Sequence, residues 1–141
     1  AVTIDGNAWQ SYAAALSSGL GVNSPNVTTT SVTPSPATDS STASMLNSAI
    51  WKGGADLNVT RTLASGNYQV YLWVMENYQS NYRSFKIRLE GNEVNASAGN
   101  LPLGGWAKYG PYSVSVNDGA LNVDLVPVSG DVHLMGMAIF N

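Results

Sequence analysis

Apolar and polar residues alternate strictly from Phe85 to Glu90: Phe85, Ile87 and Leu89 point one way, Lys86, Arg88 and Glu90 the other. A period of two marks a strand with one buried and one wet face. Gly91-Asn92 closes it. The same alternation runs through Tyr112–Val116 and Leu121–Leu125. Between them lies Asn117-Asp118-Gly119, whose Asp-Gly pair predicts a hairpin of the two strands. Tyr68–Met75 differs, because both of its faces are apolar or aromatic and Ser65-Gly66-Asn67 precedes it. It reads as a central strand covered on both sides. Leu57–Leu63 and Val132–Phe140 complete the predicted strands, the latter with Gly136 as a bulge or a point of close approach.

The first half is less regular. Residues 23–44 are more than half Ser and Thr, with three prolines and Asp39 as the single charge. Such a composition suits a linker. Val27 and Val32 punctuate it, however, and strands resume beyond it, so it reads as an ordered loop with one or two strands. Tyr12–Leu20 predicts a short helical turn ended by Gly19 or Gly21. No internal repeat is visible. Short strands set off by turns predict one all-β domain over residues 1–141, a jelly-roll-like antiparallel β-sandwich with little helix.

Composition then narrows the function. Six Lys/Arg and nine Asp/Glu make only 11% charge, under half of the roughly 25% usual in globular domains. The hydrophobic share is an ordinary 44%, enough for a real core and against disorder. A net charge of −3 with scattered basic residues excludes a nucleic-acid partner, which needs a basic stripe to neutralise phosphates. No apolar run approaches the ~20 residues of a membrane span, so no membrane partner is expected. Zero cysteines exclude thiol nucleophiles, disulfides and thiolate metal sites. His133, the one histidine, lies inside an apolar strand and reads as a core or rim residue. The low-charge, Ser/Thr/Asn-rich, cysteine-free character fits a secreted, extracellular bacterial domain.

Catalysis is not expected. No serine sits in a Gly-x-Ser-x-Gly elbow. Among the acids only Glu76 and Asp131 stand at strand ends beside aromatics. Glycoside hydrolysis needs two carboxylates flanking the bond, and acids placed like these more often cap turns or contact ligands. The aromatics say more. Four Trp and seven Tyr against two Phe favour rings with a polar handle. Trp9, Tyr12, Trp51, Tyr78, Tyr82, Trp106 and Tyr109 fall in or beside predicted loops, whereas Tyr71 and Trp73 are mid-strand and belong to packing. A flat ring stacks on the C–H face of a pyranose while Asn, Asp and Glu at the rim bond its hydroxyls.

Four segments in order, Thr3–Trp9, Ser48–Trp51, Gly66–Leu72 and Phe85–Gly91, resemble the malectin-like family, galactose-binding-domain-like β-sandwich carbohydrate-binding modules. The resemblance spans nearly the whole chain and implies a non-catalytic module for a neutral or weakly charged polysaccharide. It places Tyr78, in a Glu76-Asn77-Tyr78 match to the family's Glu-x-Tyr, against the sugar. Trp51 and Asp131 match an aromatic and an acid that line the same site, with Glu76 and Trp106 as supports. The family carries a second aromatic after its tyrosine; here Gln79 stands there, so no particular sugar is implied. No cofactor is required. Modules of this type commonly hold a structural Ca²⁺, for which Asp5, Asn7 and backbone carbonyls are the available donors; turn capping accounts for Asp5 equally well.

Family members usually have a strand ahead of the segment matching Thr3–Trp9, whereas this sequence opens at Ala1-Val2-Thr3-Ile4. Two expectations follow. Either that segment lies outside the sequence, or Val132–Phe140 is left with an open edge that recruits a strand from a neighbour, giving a homo-oligomer by strand addition. The second would make the chain a structural or adhesin-type subunit rather than a glycan binder.

Overall fold

The computed structural model describes Val2–Asn141; Ala1, where the opening segment starts, lies outside the described residues. The strands are β1 (Val2–Ile4), β2 (Asn7–Trp9), β3 (Leu20–Val22), β4 (Asn26–Thr29), β5 (Ser48–Lys52), β6 (Leu57–Thr62) and β7 (Gly66–Met75). They continue as β8 (Ser84–Leu89), β9 (Asn92–Gly99), β10 (Trp106–Val116), β11 (Ala120–Ser129), β12 (Val132–Leu134) and β13 (Gly136–Phe140). Two short helices, α1 (Tyr12–Leu16) and α2 (Ser40–Leu46), interrupt the first half. The architecture is a jelly-roll-like antiparallel β-sandwich.

One layer is a five-stranded sheet in the order β3-β6-β11-β8-β9. The other is built from β10-β7-β13 and β12-β5-β4, joined where the chain passes from β12 to β13. Period-two patterning explains why they close on each other. Phe85, Ile87 and Leu89 of β8 and Leu121, Val123 and Leu125 of β11 are almost wholly buried, as are Val70, Leu72 and Val74 of β7. All belong to one contiguous cluster, and each full burial of such a side chain contributes about 1.5–3 kcal/mol. As the sequence predicts, β7 is central, between β10 and β13. Its outer residue Trp73 is 2% exposed, covered by Trp9 edge-on at 5.1 Å and by Lys108 Nζ at 5.0 Å.

The structure departs from the sequence reading in four places. First, β10 and β11 do not form a hairpin: β10 pairs with β7, β11 with β6 and β8. The type I′ hairpin turn that an Asp-Gly pair favours needs positive φ at both central residues. Of Asn117, Asp118 and Gly119 only Gly119 has one, so the segment carries the chain across from one sheet to the other. Tight hairpin turns occur instead at Asp5-Gly6 (φ 51° and 77°) and Glu90-Gly91 (φ 51° and 79°). Second, the Ser/Thr-rich segment contains β4 and also α2, whose start is fixed by Asp39 accepting from Thr42 N–H at 2.7 Å. That cap holds the Asp39 carboxyl below its ordinary range. Third, α1 ends at Leu16, and Leu20 already belongs to β3. Fourth, Val132–Phe140 divides between two ladders, and Gly136 marks close approach rather than a bulge. A Cβ there would run into Met45 Sδ and lie 3.2 Å from Trp9.

Candidate functional site

Register brings the predicted site residues to one end of the sandwich. Met75 at the end of β7 lies opposite Trp106 at the start of β10. Lys52 at the end of β5 faces Val132 at the start of β12, and Ser84 pairs with Ser129. The loops after β5, β7 and β11 therefore gather at that end.

Trp51 is on β5, half-buried, between Asn26 of β4 and His133 of β12. Its ring and the Asp131 carboxylate meet over Gly53: a Cβ there would lie 3.6 Å from Trp51 Cζ3 and 3.4 Å from Asp131 Oδ1. The ring edge and the carboxylate thus both flank the side of Gly53 where a side chain would stand. Next to Asp131, Gly130 (φ 67°) lies beneath Tyr82, whose ring approaches within 3.3 Å of where a Cβ would stand. Tyr82 in turn meets Tyr78 edge-to-face at 5.2 Å. Tyr78 itself is 65% exposed. Gly53 thus lies against both Trp51 and Asp131, and Gly130, next to Asp131, lies against Tyr82 and through it Tyr78.

The other two predicted residues are placed differently. Glu76 is 1% exposed. Its Oε2 takes the Arg83 guanidinium and accepts from Tyr78 N–H at 3.1 Å and Gln79 N–H at 3.4 Å. It fixes the loop that carries the tyrosines from below. Trp106 is half-buried and donates from Nε1 to Pro36 O at 2.7 Å, which ties its ring to the proline-rich loop on the same end. Glu76 also holds that neighbourhood through its backbone: its N–H donates to Gly105 O at 2.9 Å, and its carbonyl accepts from Gly104 N–H at 2.8 Å.

Two participants escaped the sequence reading. Tyr82 was among the loop aromatics but not among the site residues. Arg83 is in phase with Phe85, Ile87 and Leu89, so its inward direction is legible, and an inward charge demands a partner. The guanidinium stands 5.2 Å from the Tyr82 ring centre. Behind it lies His133, 1% exposed. Burial, reinforced by the Arg83 charge, pushes His133 down to about 3, so it is neutral and belongs to the core. Of the remaining loop aromatics, Tyr109 is within β10 and accepts from Gly99 N–H at 2.8 Å; burial raises its pKa.

The proposed calcium donors do not fit a cation. Lys108 Nζ lies 2.7 Å from Asp5 Oδ2, where a metal would have to sit, and Asn7 Nδ2 donates to Asp5 O at 3.1 Å. Among the described residues no three His, Cys, Asp or Glu side chains come together in a way that could hold a metal.

Similar folds recur in known structures. A Bacteroides uniformis β-glucuronidase superposes with a TM-score of 0.73 at 12% identity, over 86% of this chain and 14% of the enzyme. The plant receptor-like kinase ANX2 gives 0.70 at 16% identity, over 88% of this chain and 40% of that one. A chain from the crystal structure of plant peptide RALF23 in complex with FER and LLG2 gives 0.65 at 20% identity, covering 81% and 38%. At these identities the likeness shows the fold alone, a β-sandwich. The chain spans less than half the length of each of these proteins. No protein-family profile and no curated protein sequence matches it.

Proposed function

We propose that Trp51, Asp131, Tyr82 and Tyr78 together form a non-catalytic binding surface for a neutral or weakly charged polysaccharide. The observation that carries this reading is the meeting of the Trp51 ring and the Asp131 carboxylate over the bare backbone of Gly53. A ring offers its face to sugar C–H groups while an adjacent carboxylate accepts charge-assisted hydrogen bonds from hydroxyls. Tyr78 and Tyr82 extend the platform toward a second sugar. Support comes from the malectin-like sequence resemblance and from the occurrence of this sandwich within a β-glucuronidase. Two of the similar structures are described as an ectodomain and an extracellular domain, which favours an extracellular setting.

The expected affinity is modest, with Kd on the order of micromolar to millimolar. Catalysis is not part of the reading, because Glu76, the acid next to the exposed tyrosine, is engaged by Arg83. A glycan array probed with the folded protein tests the proposal. Reproducible binding to one glycan class is expected, weakened about tenfold or more in Trp51→Ala. Silence across neutral and weakly charged glycans, or unchanged affinity in folded Trp51→Ala, overturns it.

A further inference from the structure

The side-chain carboxylates of this chain divide by whether they have a partner. Seven of the nine accept an ion pair or a hydrogen bond, as Asp5 does from Lys108 and Asp124 from Asn58 Nδ2 at 2.6 Å. The other two, Asp56 and Asp131, have neither among the described residues. Both stand at the end of the sandwich that carries Trp51. Asp56 is in the loop after β5, three positions beyond Gly53, and Asp131 lies between β11 and β12.

The cations of that end are already engaged. Arg83 is 6% exposed and turned to Glu76. Lys52 Nζ donates to Asn23 O at 3.0 Å and to Ser24 O at 3.4 Å. No Lys, Arg or His of the described residues comes within ion-pair distance of Asp131. Lys86 and Arg88 stand beside Glu93, Lys108 beside Asp5, and Arg61 near the far end of β6, opposite Leu121.

At neutral pH the Asp131 carboxylate therefore carries a charge that no described cation offsets. A sugar hydroxyl can bond it but leaves that charge in place. An ammonium group both bonds and neutralises it, through the stronger, charge-assisted kind of hydrogen bond. The neighbouring Trp51 ring acts in the same sense, since an aromatic face attracts a cation and repels an anion. A uronate or a sulfate would meet an unpaired carboxylate and no free cation. We propose that the ligand of this site is a polysaccharide with free amino groups, in which the ammonium of an unacetylated hexosamine pairs with Asp131 while a sugar ring packs on Trp51. The inference rests on the glycan-binding reading of the Trp51 end and narrows it to one ligand class. N-acetylation turns the ammonium into a neutral, bulkier amide, so the same polysaccharide in acetylated form is the poorer ligand.

The test uses the 141-residue protein on an array of hexosamine-containing glycans of several linkages. Each is present N-acetylated and after chemical de-N-acetylation, with uronate-containing glycans alongside. Expected is about tenfold tighter binding to the free amine than to its acetylated counterpart, and the weakest binding to uronates. Raising salt from about 0.05 M to about 0.5 M should shrink that ratio, because a partly exposed pair is screened. Asp131→Asn keeps the size of the side chain and removes its charge, so it should bring the ratio close to one. Asp131 has no partner to strand, and a melting curve matching the wild type's checks that the variant is folded. Equal binding of the two forms, a preference for acetylated or acidic glycans, or an amine preference that survives both salt and Asp131→Asn overturns the inference. So does an amine preference that Trp51→Ala leaves at full strength, which would be the attraction of any polycation to a chain of net charge −3. Binding of neutral glycans through Trp51 without preference for amines would fell this inference alone, whereas silence of the whole array would fell the glycan-binding reading with it.

Discussion

Arg83 grips Glu76 in a pocket that leaves the two side chains only 7% and 2% exposed. Each is tolerable there because of the other. The same carboxylate that neutralises the guanidinium also accepts from two amides of the loop bearing Tyr78. A charge pair inside the sandwich therefore sets the position of an exposed ring outside it.

Removing one partner strands the other charge, so Glu76→Ala should destabilise the fold by about 3–5 kcal/mol. Urea denaturation measures this. Replacing both residues by Met should restore most of the loss, because no buried charge remains. A double variant no more stable than Glu76→Ala would show that the loss has another origin.

Gly130→Ala should be costly out of proportion to one methyl group. Its φ of 67° disfavours any side chain, and the new Cβ would run into the carbonyl oxygen of Tyr82. A loss of more than about 1 kcal/mol is expected. Displacement of Tyr82 should also appear as weakened glycan binding. Gly53→Ala is the contrasting case. Its added Cβ meets Asp131 and Trp51 at ordinary contact distance, so thermal stability should hold while the new methyl group stands against both ring and carboxylate.

Acid should loosen this protein earlier than its carboxylates alone would dictate. With His133 held at about 3 against an ordinary 6.5, the unfolded chain binds a proton in that window that the folded chain refuses. Stability is thus fully present above about pH 6.5 and is lost progressively as pH falls toward about 3. Melts at about pH 7, 5 and 4 should show a shallower decline for His133→Gln than for the wild type. Parallel declines would clear His133 of responsibility.

Chelation should leave the melting temperature unchanged, since the Asp5 carboxylate is occupied by Lys108. A drop in melting temperature on adding EDTA, reversed by Ca²⁺, would contradict that assignment.

The strand faces were legible in the sequence because burial imposes a period of two wherever a strand lies. Phe85–Leu89 and Leu121–Leu125 show it directly. Strand partners were not legible, because a residue facing the core of a sandwich looks the same whether its neighbour in sequence lies beside it or in the opposite layer. That is why Asn117-Asp118-Gly119 read as a hairpin. Helix α2 was hidden by a Ser/Thr-rich sequence of weak helical propensity, and its one signal, the Asp39 cap, passed as the lone charge of a loop. At the site, exposure decided between similar residues. Tyr78 and Glu76 are two positions apart, yet one is 65% exposed and the other 1%, a difference set by the inward-pointing Arg83.

The crossing of the chain between layers after β10 has a consequence for how the protein acquires its structure. The three larger sheet segments, around β7, β11 and β5, each contain strands from before Gly99 and strands that begin at or after Trp106. Only β1–β2 and β8–β9 join through tight turns among the described residues. Sequence-distant pairing must therefore precede most of the stabilising contacts, which places folding in the slow range of milliseconds to seconds typical of all-β domains. A cut between β9 and β10 leaves no intact large sheet in either piece, so neither piece should fold until the two are mixed.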